Sequence, residues 1–310
     1  MSRRKTGRDI DGMLLLDKSP GLSSNGALQR VKRLYQANKV GHTGSLDPIA
    51  TGLLPLCLGE ATKLSGFILN TDKRYRVRVR LGQTTTTADI EGEIVEEKPV
   101  PKLGMDELEA ILQTFRGEID QIPPMYSALK RGGQKLYDLA RKGVEVEREP
   151  RKISIYELRL LELGADFLDL DVHCSKGTYI RSLAVDIGQS IGCGGHVAQL
   201  RRTAVGSSYE LGQAVTIDHL ETLSDEQRLS LLLPISAIAD ELPIFQLSPE
   251  LAFFLRRGQA VFAPNAPTNG LLRLFTREGA FLGVGEVNED GLIAPKRLVK
   301  ETRTPANAQG

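Results

Sequence analysis

Tyr75-Arg76-Val77-Arg78-Val79-Arg80-Leu81 alternates apolar and basic side chains without interruption. Successive side chains leave a β-strand on opposite sides, so this period of two marks a strand with one face in a core and the other outside it. The chain therefore contains a sheet, and the strand predicts its own placement: Val79 and Leu81 inside, Tyr75 at the rim. Its three arginines make either a solvated face or a track for phosphates. Met13–Leu16 is a short apolar run closed by Asp17-Lys18-Ser19-Pro20-Gly21, a strand followed by a turn. Ser23, Ser24 or Asn25 caps a helix running to about Tyr35, with Leu28, Val31, Leu34 and Tyr35 on one face. Leu53–Leu69 is mostly apolar, Met105–Phe115 has helical periodicity, Leu168–His173 alternates, and a helix is expected from Ser182 to about Ser190.

The 310 residues suffice for two domains or for one large domain with an appendage, and a 41% hydrophobic content supports a sizeable core. Near Pro243 the texture changes. Leu271–Thr276, Ala280–Glu286 and Leu292–Ala294 are short strand-like segments between turn residues, as in a small β-barrel. A boundary is expected in the 240s, with a C-terminal part whose removal weakens RNA binding and leaves the chemistry measurable at saturating RNA, and Thr302–Gly310 reads as a disordered tail. Cys57, Cys174 and Cys193 are irregularly spaced, which fits a reducing compartment and argues against a disulfide framework or a zinc site. The basic start lacks the apolar stretch of a signal peptide, and no apolar run reaches membrane-spanning length. These features point to a soluble, cytoplasmic protein without a membrane partner.

The formal net charge of +1 hides a division: residues 1–80 carry 15 Lys/Arg against 6 Asp/Glu, and the remainder 25 against 33. A basic N-terminal part implies an anionic partner, nucleic acid first, or a solvated basic surface. Gln121–Lys130 breaks regular structure. From Ala128 to Lys152 there are 8 Lys/Arg against 4 Asp/Glu, with Gly132-Gly133 as a hinge; the segment is an RNA-gripping arm or an exposed excursion.

Gly41-His42-Thr43-Gly44-Ser45-Leu46-Asp47-Pro48-Ile49-Ala50-Thr51-Gly52-Leu53-Leu54-Pro55 reads as a Gly/Pro-rich loop in which Asp47 is the one acid. Pro48 biases Asp47 toward an extended or turn conformation. A lone carboxylate on a stiff loop is either a turn-forming residue or a group presented to a substrate as nucleophile or base. With no neighbouring acid in sequence, Asp47 is expected to act alone.

Asp47 and its flanks, Lys73-Arg74-Tyr75, Ser175-Lys176-Gly177-Thr178-Tyr179-Ile180-Arg181 and Leu200-Arg201-Arg202-Thr203 together resemble the ordered blocks of the TruB family of tRNA pseudouridine synthases. The resemblance runs from about Gly12 to Lys300. Gln121–Lys130 is similar to the family's insertion, and the C-terminal segment looks like a PUA domain. One departure is Thr84-Thr85-Thr86-Thr87-Ala88-Asp89, where relatives often carry a further Asp among the threonines.

The resemblance implies an α+β, pseudouridine synthase fold with a mixed, largely antiparallel sheet and peripheral helices. It places the catalytic domain over 1–242 with an RNA-binding insertion at about 121–152, a PUA-like β-barrel over 243–303 and a tail over 304–310. It implies conversion of the T-loop uridine of tRNA, position 55, to pseudouridine, without metal or cofactor and with no obligatory protein partner. Asp47 becomes the essential carboxylate, attacking C1′ or removing the 2′ proton. Arg181 pairs with it, and Tyr75 stacks on the flipped uracil or takes the C5 proton. His42 enters the space the base vacates, and Tyr179 and Leu200 line the pocket. Lys63, Lys130, Arg141 and Arg201 become phosphate contacts, and the PUA-like part touches the acceptor end. An RNA-binding protein that refolds tRNA without catalysis is the alternative of a different class.

Overall fold

The alternating arginine strand lies inside the main sheet of a computed structural model that describes residues 7–127 and 129–300, with the side chains of Lys130, Arg131 and Lys135 left aside. The 304–310 tail therefore lies outside the described residues. The chain begins β1 (Gly12–Lys18), α1 (Ser24–Leu34), β2 (Val40–His42), β3 (Thr51–Leu58), α2 (Ser65–Leu69) and β4 (Lys73–Leu81). It continues through β5 (Gln83–Thr85), β6 (Ile94–Glu97), α3 (Met105–Gln113), β7 (Gly117–Gln121), β8 (Lys130–Arg131), β9 (Gln134–Lys135) and α4 (Leu136–Ala140). Next come β10 (Arg151–Leu163), β11 (Phe167–Cys174), α5 (Ile180–Ile191), β12 (Gly195–Val205), β13 (Tyr209–Glu210), β14 (Val215–Thr216), α6 (Ile217–Thr222) and α7 (Asp225–Ser230). The C-terminal part contains β15 (Ile244–Leu247), α8 (Pro249–Arg256), β16 (Gly270–Thr276), β17 (Phe281–Val287) and β18 (Ile293–Leu298).

The main sheet has the order β14-β1-β3-β12-β4-β11-β10-β7, with β2 beside β3 and β13 beside β12. The β1–β14 and β3–β12 contacts are parallel and the other ladders antiparallel, so the sheet is mixed and largely antiparallel, as expected. Val77, Val79 and Leu81 of β4 are buried under α1, α3 and α5, with Leu28, Val31, Leu108, Leu112, Leu183 and Ile187 in the same cluster. On the opposite face Arg78 meets Asp169 through Nε at 2.7 Å, and Arg80 meets Asp166 at 2.8 Å. Of the two readings of the arginine stripe, the ion-paired surface describes these two residues.

Several boundaries differ from expectation for local reasons. The 41–55 block is not a continuous loop: His42 ends β2, Thr51 begins β3, and the irregular part is 43–50. The helix expected from Ser182, α5, starts at Ile180 with Tyr179 as its N-cap, so Arg181 stands on the first helical turn rather than before the helix. Gly132 and Gly133, with φ of 58° and 84°, form the two-residue turn of the β8–β9 hairpin. Two positive φ angles in succession are what a tight hairpin turn of this hand requires, so the pair is a turn and not a hinge.

The C-terminal strands form a four-stranded sheet in the order β15-β16-β17-β18, its first pairing parallel. It has its own interior, with Leu247, Leu255, Leu272, Leu274 and Ile293. It also shares a cluster with the main sheet: Val284 and Val299 are buried together with Met13, Leu15, Leu53, Cys57 and Ile238. The small C-terminal unit is thus docked on the back of β1 and β3 through apolar packing. Among the described residues no helix is long and apolar enough to cross a membrane.

Candidate active site

The 43–50 segment is fixed from below. Lys18, fully buried, donates from its ammonium to the carbonyls of Ala50 at 2.6 Å, Ser19 at 3.0 Å and Pro48 at 3.3 Å. Ser24 brackets Leu46, its hydroxyl accepting from the backbone N–H at 2.6 Å and donating to the carbonyl at 2.9 Å. Asp47 opens a β-turn closed by the Ala50 N–H on the Asp47 carbonyl at 3.0 Å, with Pro48 supplying its preferred φ at the second position. Gly52, at φ 98°, lies where a Cβ would come within 2.2 Å of the Arg202 carbonyl oxygen, so only glycine lets β3 approach β12 here. Asp47 thus makes a turn, as one of its two readings expects, and its side chain keeps 39% exposure from that turn.

That carboxylate is gripped by Arg181. Nε lies 2.9 Å from Oδ2 and Nη2 lies 3.3 Å from Oδ1, a two-point contact that fixes the plane of the carboxylate. Arg181 also donates to the carbonyls of Tyr126 at 2.7 Å and Thr87 at 3.0 Å, so the guanidinium is tied on every side. Its second anionic neighbour is Asp89, with Oδ2 3.7 Å from Nη1. Asp89 is itself buried and held by the Thr87 hydroxyl at 2.6 Å and the Glu91 N–H at 3.1 Å. Two carboxylates from separate loops thus share one arginine, the open one of Asp47 and the buried one of Asp89. The threonine run that departs from the family pattern has a job, which is to lock Asp89 beneath that arginine.

The electrostatics follow from burial. Desolvation pushes the Asp47 carboxyl above the usual carboxylate range; the Arg181 charge opposes this, and the Asp89 charge adds to it. The side chain of Asp47 keeps 39% exposure against 6% for Arg181, so it is the member of the pair open to a substrate.

Tyr75 and Arg202 form the second layer. Tyr75 lies at the start of β4 opposite Arg202 of β12 and is part-buried. Burial raises its phenol above its ordinary value, with the hydrogen-bonded Arg202 guanidinium opposing. A phenol held protonated suits stacking better than proton abstraction. Arg202 is buried and donates to Leu53 O at 2.7 Å and Gly44 O at 3.1 Å, joining β3, β12 and the Asp47 loop. The sequence reading nominated Arg201 and passed over Arg202, whose place on the same side of β12 as Leu200 was the available signal.

His42 closes β2 beside the loop; burial and the Arg202 charge lower its pKa, and its buried Nδ1 has no hydrogen-bond partner among the described residues. Tyr179 is fixed through its backbone by Gln121, which accepts from its N–H at 2.8 Å and donates to its carbonyl at 3.0 Å. Burial raises its phenol, the Ser127 side chain opposes, and the charges of Arg151, Arg181 and Asp47 act on it more weakly. Leu200 is buried and pairs with Val77 in the β12–β4 ladder.

The nominated phosphate contacts are scattered. Lys63 is engaged by Glu60 at 2.6 Å and by the Leu298 carbonyl at 3.3 Å, at the seam with the C-terminal sheet. Arg201 is paired with Asp17 at 2.6 Å. Arg141 is exposed, its guanidinium over the Tyr137 ring at 5.6 Å. Lys130 lies on β8, its side chain outside the described atoms.

The chain matches the family model described as TruB family pseudouridylate synthase (N terminal domain) over residues 32–180. It matches the tRNA pseudouridylate synthase B C-terminal domain over 181–238 and the C-terminal model of pseudouridine synthase II TruB over 243–299. It is 54% identical over 300 residues to tRNA pseudouridine synthase B of Nitrosococcus oceani, covering 96% of this chain and 97% of that protein. To the protein of the same name from Escherichia coli O139:H28 it is 50% identical, covering 97% and 99%. Among solved structures, a chain of a Cbf5-Nop10-Gar1 complex superposes with a TM-score of 0.70 at 24% identity, covering 94% of this chain and 84% of that one; at this identity the likeness shows the fold. Matching models along most of its length, and relatives 50% and 54% identical over at least 96% of it, make this chain a member of the TruB family of pseudouridine synthases.

Proposed function

We propose that this protein isomerises uridine 55 in the T-loop of tRNA to pseudouridine. The reaction breaks the C1′–N1 bond, turns the uracil and forms a C1′–C5 bond; the C5 proton leaves and N1 gains one, so atoms balance without a cofactor. The target base is stacked in a folded loop and has to be extruded into the pocket. Asp47 meets the sugar, by attack at C1′ or by removal of the 2′ proton. Arg181 keeps that carboxylate ionised and in one plane, with Asp89 holding Arg181 from behind. Tyr75 carries the flipped uracil on its ring, with Tyr179 and Leu200 closing the pocket, and His42 fills the gap left in the loop.

The observation that carries this reading is the two-point Arg181–Asp47 contact, in which the carboxylate keeps 39% exposure while the arginine is buried. A tRNA-folding protein that works without catalysis has no use for a desolvated carboxylate held in this way. Residues 1–242 form the catalytic part in this reading, with 121–152 gripping the RNA and 243–303 reaching the acceptor end. Affinity then comes from phosphate contacts and loop shape, and falls steeply with salt. Mapping pseudouridine in bulk tRNA from cells with and without this protein tests the assignment. Loss of the T-loop modification alone is expected; its persistence in cells lacking the protein overturns the proposal.

A further inference from the structure

Arg151 and Lys152 are consecutive cations at the start of β10, and alternation puts them on opposite faces of the sheet. Lys152 is neutralised by Glu118 at 2.6 Å. Arg151 is exposed, and among the described residues no carboxylate pairs with it. Its register partner on β7 is Gln121, so the two side chains leave the ladder on the same side. Gln121 is buried there because it clamps the backbone of Tyr179, the N-cap of the helix that carries Arg181. The next residues on this side of β10, Ile153 and Ile155, lie in the core beneath α3 and α5. Arg151 is therefore the last residue of the core-facing row, emerging at the rim beside Tyr179, close enough for its charge to act on the Tyr179 phenol. Most arginines on the outer face of the sheet are spent on acids: Arg74 on Asp171 and Glu157, Arg78 on Asp169, Arg80 on Asp166. An exposed arginine without a counter-ion, fixed next to a pocket for a polyanion, is a phosphate receptor in geometry and charge.

We propose that Arg151 binds a backbone phosphate of the RNA strand that delivers the target nucleotide to the pocket. This rests on the reading of the pocket as a tRNA uridine site. It assigns to Arg151 the contact that Lys63 and Arg201, already paired with Glu60 and Asp17, are less free to make.

The test is the salt dependence of tRNA binding to the full chain, followed by fluorescence anisotropy across a potassium chloride series. The variants are Arg151→Ala, Arg151→Lys and, as the control on the ion-paired outer face, Arg80→Ala. Losing one phosphate contact lowers the magnitude of the slope of log affinity against log salt by about 1, or about 0.7 for a single strand. The expected result is that decrease for Arg151→Ala, with an unchanged thermal midpoint, a slope restored by Arg151→Lys, and a wild-type slope for Arg80→Ala. A wild-type slope for Arg151→Ala, or an equal loss in Arg80→Ala, overturns the proposal. Failure of the wild-type protein to bind tRNA above its affinity for unrelated RNA strikes instead at the functional reading beneath it.

Discussion

Arg181 holds Asp47 by two of its nitrogens, and the same guanidinium has Asp89 3.7 Å away on its other side. A cation between two carboxylates, one partly open and one buried, is an arrangement that neither acid tolerates without it. Arg181→Met leaves Asp89 in the interior without its counter-charge, and the expected loss of stability is about 3–5 kcal/mol. Arg181→Lys keeps the charge but loses the fork that fixes the carboxylate plane, so it costs less stability while still depressing turnover. Urea denaturation and turnover measured on both variants separate the two effects; wild-type stability in the Met variant contradicts the arrangement.

Burial raises the pH range in which Asp47 is charged, and Asp89 adds to that rise. Burial and the Asp89 charge raise the Asp47 pKa, and Arg181 lowers it, with the net direction upward from 3.8. The reaction uses ionised Asp47, so the acid limb of the single-turnover rate lies above the ordinary carboxylate value and the rate rises as pH passes through it. Asp89→Asn removes a negative neighbour, lowers the Asp47 pKa and moves that limb to lower pH. A shift to higher pH runs against the inferred coupling.

The parts of this site differ in how far the sequence disclosed them. Tyr75–Leu81 was legible because a strand buried on one face writes its period into the residues themselves, and Val77, Val79 and Leu81 are buried as that period demands. Asp47, Tyr75 and Arg181 were legible as blocks of a family pattern. Asp89 was not, because its closeness to Asp47 arises from a loop 42 positions away that is joined to β12 by the Ile90 N–H on the Val197 carbonyl. Lys18 and Arg202 were missed for the opposite reason: a buried cation that serves backbone carbonyls looks, in sequence, like any surface lysine or arginine.

Lys18 offers a thermodynamic signature. Burial pushes its ammonium down from 10.5 to about 8, and Lys73, which donates to the carbonyls at the end of α2, is pushed down to about 8 as well. Between about pH 8 and 10.5 the unfolded chain binds more protons at these positions than the folded one, so they make stability rise with pH in that window. Lys18→Met removes one of the two groups and is expected to flatten the rise, while loosening the Asp47 turn and slowing turnover. Denaturant midpoints taken across that pH range check this; an unaltered slope contradicts it.

The C-terminal unit is not a detachable appendage in packing terms. Val284 and Val299 share a buried cluster with Met13, Leu15, Leu53 and Cys57, and the Lys300 N–H donates to Glu60 at 2.7 Å. Ending the chain after Leu242 uncovers that cluster, and each apolar side chain left fully exposed forfeits about 1.5–3 kcal/mol. The expected outcome is a fragment that melts well below the full chain or aggregates. Equal melting of the two in differential scanning calorimetry shows the cluster to be dispensable.

The central claim is that the Asp47 carboxylate performs the uridine isomerisation in tRNA. Tritium release from tRNA carrying 5-³H-uridine tests it most directly, because the label is lost when C5 becomes bonded to C1′. Release by the wild-type protein, one equivalent per tRNA, is expected, and none by an Asp47→Ala protein that still binds tRNA. Release of label by Asp47→Ala contradicts it.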